Sequence, residues 1–151
     1  MSQYVDFFVR SRNDDLTLLD SISRSHLIYE IAGHIGAPYE KIKCLTAAKA
    51  QEAVEIAESY QQSHQEHYDS LLERQKLVAQ FNNSIQEKME VINEITEYLD
   101  ELKEEIQVAN YAKNFFIMLR NFIDTMSYDD DNVGIYFGIE VGRHPSIDDI
   151  I

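Results

Sequence analysis

The chain has one cysteine, few basic residues, no long apolar run and none of the short motifs that mark catalytic centres. Each shortage excludes something. Cys44 alone cannot form an internal disulfide, which suits a reducing compartment, so a cytoplasmic location is expected. The longest apolar runs are a few residues, far below the roughly 20 that a membrane-spanning helix needs. The opening residues, Met1 to Asp6, show neither the charged nor the apolar segment of a secretory signal. With 13 Lys and Arg against 27 Asp and Glu, the net charge of −14 argues against attraction to bare duplex DNA or to an anionic membrane. No glycine-rich phosphate loop, nucleophile elbow, kinase signature or deaminase signature is present. The expectation is therefore a non-enzymatic protein with no catalytic residue and no cofactor.

What is present is helical periodicity. From Thr46 to Phe81 apolar residues recur in steps of three and four, along Ala53, Ala57, Tyr60, His64, His67, Leu71, Val78 and Phe81. The pattern breaks at Asn82-Asn83 and restarts at Ser84, which with Glu87 fits a capping box. It then runs through Ile85, Met89, Ile92, Leu99, Ile106, Phe116, Leu119, Ile123 and Met126. So short a turn makes the two helices antiparallel, and the first should extend roughly 50 Å. Before them, Tyr4 to Arg10 alternates as a strand with Val5, Phe7 and Val9 inward, and Leu16 to Leu19 returns as its hairpin partner. A short serine-capped helix follows and ends near Gly36 and Pro38. Residues 39–45 read as a connector, strand or helix. Val133 to Val141 forms a last strand, with Val133, Ile135, Phe137, Ile139 and Val141 on one face. The fold class expected is α+β: a small antiparallel sheet of three strands with a long antiparallel helical hairpin as a coiled-coil stalk. A single domain, 1–151, divides into a head (1–45 and 110–151) and a stalk (46–109), with the phenylalanine-rich end of the second helix completing the head's core.

Four features carry possible function. The second helix has an apolar row besides its seam, Val91, Ile95, Tyr98 and Leu102, wider than one partner helix covers. Homo-oligomerisation through the stalk would bury it; the plain alternatives are that residues 1–45 fold back over it or that a modest exposed stripe is tolerated. Glu87, Glu90, Glu94, Glu97, Glu101 and Glu104 form an acidic stripe, either a solvated face or a surface for a basic partner. Ser23, Arg24 and Ser25 stand at a helix start, where free amides favour anions. Arg10, Arg12, Tyr136 and Arg143 are expected as the walls of that candidate ligand site, and Gly134, Gly138 and Gly142 would let a flat ligand or a second backbone come close. The ordinary reading is a serine cap with scattered arginines. His64 and His67 lie three apart, yet no recognised metal spacing surrounds them, so no metal site is expected.

Asp6-Phe7-Phe8-Val9-Arg10, Ser21-Ile22-Ser23-Arg24-Ser25, the acidic hairpin and Tyr136-Phe137-Gly138-Ile139-Glu140-Val141-Gly142 together resemble small accessory proteins of bacteriophages and prophages. That resemblance implies a protein of the bacterial host cytoplasm that counters host defences by binding rather than by chemistry. The function expected is capture of a phosphorylated small molecule, such as a nucleotide signal, by an oligomer. The competing expectations are an acidic inhibitor that mimics nucleic acid and blocks a basic host enzyme, and a structural coiled-coil adaptor. Neither direct nucleic-acid binding nor a membrane partner is expected.

Overall fold

The structure, a computed structural model, describes residues 4–22, 25–81, 84–126, 133–142 and 144–151. Strand β1 (Val5–Arg10) and β2 (Leu16–Ile22) form the N-terminal hairpin, then come α1 (His26–His34), β3 (Lys43–Leu45), α2 (Ala47–Gln80), α3 (Ile85–Met126) and β4 (Gly134–Ile139). The sheet order is β2-β1-β4-β3, antiparallel throughout. It therefore holds four strands, one more than the sequence pattern suggests. The fourth comes from the 39–45 connector, where three residues pair with β4, Lys43 opposite Phe137. Nothing in their own pattern marks a strand; the pairing partner supplies it.

Two compact units make up the chain: Met1–Ala57 with Tyr111–Ile151, and Glu58–Asn110. In the first, Phe7 of β1 meets Phe115 edge-on at 5.0 Å and Phe116 at 6.3 Å, and lies stacked with Phe137 of β4 at 6.1 Å. The expected junction of the sheet with the end of the second long helix is present. Buried Ile28, Ile31, Ala50, Ala53, Leu119 and Ile135 extend this core.

The sheet's other face is covered too. Phe8, Tyr136, Ile42 and Val141 form a second, smaller core, with Leu16 and Ile150 packed against it. Its lid is the chain's own C-terminus. Ile42 donates its amide to the Asp149 carbonyl at 3.0 Å and accepts from the Ile151 amide at 3.0 Å. A short 3-10 turn, Ile147–Asp149, carries the tail there, and Lys41 pairs with Asp149 at 3.5 Å. The glycine face of β4 does receive a second backbone, and it belongs to this chain. A Cβ built on Gly138 would lie 2.0 Å from the Lys41 carbonyl oxygen.

Helix starts follow the capping rules. Ser25 Oγ accepts from the Ile28 amide at 3.2 Å, Thr46 Oγ1 from Lys49 at 3.1 Å, and Ser84 Oγ from Glu87 at 3.3 Å. The asparagine pair, 82–83, lies outside the described residues. The antiparallel pairing that it implies is visible in side-chain bonds between α2 and α3, from Arg120 to Gln51, from Tyr60 to Glu105, and from Gln75 to Thr96. Among the described residues no helix is long and apolar enough to cross a membrane.

Gly138→Ala should lower unfolding free energy by about 3 kcal/mol, because the clash is with backbone that cannot rotate aside. Urea denaturation followed by circular dichroism measures it, and a change within experimental error would mean that residues 38–42 yield easily.

Candidate functional site

Arg10, at the end of β1, sits over the second core. Its Nε and Nη2 donate to Asp14 Oδ1 at 3.0 and 2.8 Å, and Nη1 donates to the Tyr136 hydroxyl at 3.0 Å. The guanidinium carbon also lies 5.5 Å from the centre of the Tyr136 ring. Asp14 reaches this position because the hairpin turn holds it in the left-handed region, at φ 62°. The bond to Tyr136, with help from Asp14, raises the arginine's already high pKa and keeps it cationic. Three of the guanidinium's five donors are thus engaged within the chain. Tyr136 is buried, with its ring packed in the second core.

The other expected wall residues are placed as follows. Arg12 is exposed in the β1–β2 turn. The Ser25 hydroxyl caps α1. Ser23, Arg24 and Arg143 lie outside the described residues. Near them in sequence is a cavity of about 470 Å³ lined by Tyr4, Asp6, Phe8, Leu18, Gly142 and His144. Its size suits a small ligand, but its buried charged residue, Asp6, is an acid. Cys44 is exposed as a residue, yet desolvation raises its thiol pKa more than the nearby Arg10 lowers it. The thiol therefore stays protonated near neutral pH.

The hairpin unit, Glu58–Asn110, offers a different kind of surface. Leu71 and Leu99 are buried in its seam, flanked by half-buried Val78, Ile92, Ile95 and Ile106. His64 belongs to the seam: it stacks on Tyr60 at 4.1 Å, and Nδ1 lies 2.8 Å from the Tyr60 carbonyl oxygen. His67, expected beside it, is exposed. Phe81, Ile85 and Met89 are exposed as well, although the spacing placed all three in the seam. A straight helix drifts by about 20° per heptad, so a strict three-four count loses the facing direction along so long a rod. Among the described residues no three metal-ligating side chains cluster.

Of the apolar row expected beside the seam, Ile95 and Leu102 are half-buried. Val91 and Tyr98 are exposed, and a cleft of about 430 Å³ runs between them and Leu71 and Leu77 of α2, with Phe81 just past its end. Leu77 is the member that the sequence pattern missed. Beyond the row on α3 stand the six glutamates, all exposed. None of the six takes part in an ion pair among the described residues.

Tyr136→Phe, which leaves Arg10 Nη1 without its acceptor, should cost about 1 kcal/mol of stability, the size of one part-buried hydrogen bond. Denaturant midpoints of the two proteins test this, and equal midpoints would mean that water replaces the hydroxyl freely.

Comparison of the chain with protein-family models, with curated proteins and with solved structures finds no match.

Proposed function

We propose that this is a non-enzymatic binding protein that engages a basic protein partner through the acidic row of α3. The observation that carries the reading is that Glu87, Glu90, Glu94, Glu97, Glu101 and Glu104 are all exposed and without an ion pair among the described residues. The pairs Glu90–Glu94 and Glu97–Glu101 are like charges four apart, each costing a few tenths of a kcal/mol. Lysines in alternate places would relieve that repulsion and keep the helix soluble, so its retention favours a role for the charge. The resemblance to phage accessory proteins suits a protein that acts in the cytoplasm by occupying a surface. Blocking a basic host enzyme is one such act.

Replacing Glu90, Glu94, Glu97 and Glu101 by glutamine tests this reading. The variant should melt at a higher temperature and lose binding to fluorescent polylysine, which the parent chain should bind at low salt and release as salt approaches physiological strength. Equal polylysine binding by parent and variant would remove the row from the function.

Capture of a phosphorylated small molecule is a second reading, favoured by the cavity in the first unit, whose lining residues Gly142 and His144 flank Arg143 in the chain. The bonds of Arg10 to Asp14 and Tyr136, and Asp6 in the cavity wall, weigh against it. On this reading a thermal-shift screen should show a nucleotide or cyclic dinucleotide raising the melting temperature of the parent chain and not that of Arg24→Ala. No shift with any phosphorylated compound would end it.

A further inference from the structure

The cleft of the hairpin unit is an apolar trough with an acidic side along α3. Leu71, Leu77 and Phe81 line one bank and Val91, Ile95 and Tyr98 the other. Its outer members are far from covered: Phe81 and Tyr98 are each 59% exposed and Leu77 48%. Leucine, phenylalanine and tyrosine left this open on two adjoining helices leave a furrow that a third helix would fill. Interaxial distances of about 8–10 Å let side chains of such a helix settle between the two banks. At a rise of about 1.5 Å per residue, Val91 to Tyr98 covers about 10 Å and Leu71 to Phe81 about 15 Å. The occupant therefore makes contact over two to three helical turns.

Charge decides which helix. Glu94 lies in the wall of the trough. Glu87 and Glu101, seven residues to either side, follow the same flank of α3 and are exposed. On α2, exposed Glu73 stands four residues before Leu77. Arg74 is the one basic residue in the lining, and the whole unit carries twelve acids against four bases. A second copy would bring the same acidic surplus against itself. A helix with leucine-like residues on one side and lysines or arginines beside them would bury the trough and answer the carboxylates of α3.

We infer that the trough between α2 and α3 is a docking site for a cationic amphipathic helix of a partner protein, held by Leu77, Phe81, Val91 and Tyr98 and flanked by Glu87, Glu94 and Glu101. This rests on the reading of the acidic row as a partner surface, and adds that the partner is recognised by its apolar stripe as well as by its charge.

The test compares two labelled probes on the full chain: a synthetic leucine–lysine amphipathic helix of about four turns, and polylysine of matched charge. Fluorescence anisotropy should give the amphipathic helix a Kd about tenfold lower or better. The double variant Leu77→Ser with Tyr98→Ser, both exposed positions, should abolish that advantage and keep polylysine binding and the helical circular dichroism of the parent. If the two probes bind alike and the double variant changes neither, the docking site is overturned and the acidic-row reading stands. If neither probe binds at low salt, both fall. Light scattering supplies a third arm: a dimeric parent made monomeric by the double variant would place a second copy in the trough and overturn the cationic partner.

Discussion

The packing of Phe7 against Phe115, Phe116 and Phe137 is the contact on which the rest of the first unit depends. One ring from the first strand touches the last strand and the far end of the second long helix, so residues at both ends of the sequence share a single core. Burying that much aromatic surface among four rings is worth several kcal/mol, a large part of an ordinary domain's stability. It also constrains the path between them. The bond from Arg120 to Gln51 within the first unit, and that from Tyr60 to Glu105 within the hairpin unit, show α2 and α3 running antiparallel.

The hairpin unit obeys a different balance. Its seam is thin, with two buried leucines and a set of half-buried aliphatics, and much of its apolar surface stays in water. Helices of this length hold their shape through the seam and through their own backbone bonds, which leaves their outer faces free to vary. Here those faces are divided: an apolar furrow on one flank and unneutralised carboxylates beside it. A surface with both properties discriminates by two criteria at once, because a merely basic chain satisfies one and a merely greasy one the other.

Much of this was legible beforehand where local chemistry decides. The caps at Ser25, Thr46 and Ser84, the alternation of β1, that of β4 as far as Ile139 (Val141, expected on the Phe137 face, packs with Phe8 and Tyr136 after the turn at Glu140) and the phenylalanine-rich end of α3 announce themselves within a few residues. The parts that were not legible are set by neighbours distant in sequence. β3 is a strand because β4 lies beside it. Phe8 and Tyr136, which alternation places on the face away from the main core, are buried because the C-terminal tail folds over them. Arg10 looked available for a ligand, since nothing short-range shows that the turn would bring Asp14 back to it or that Tyr136 would lie beneath it. On the hairpin, the glutamate stripe and the Val91–Tyr98 row could be counted directly, and Leu77 could not, since it belongs to the furrow only through its neighbour helix.

The two bonds between Ile42 and the C-terminal residues have a bearing on how the sheet meets other chains. They occupy both backbone groups of the residue leading into β3, so residues 149–151 close that margin of the sheet at Ile42. The opposite margin is unfinished: among the described residues β2 has a strand on one side only, with Leu18 and Leu19 largely in solvent. Strand-to-strand joining, whether in aggregation or in exchange between molecules, is thereby blocked at Ile42 and left open along β2. A change that loosens residues 149–151 would free the amide and carbonyl of Ile42 and open a second place for such joining.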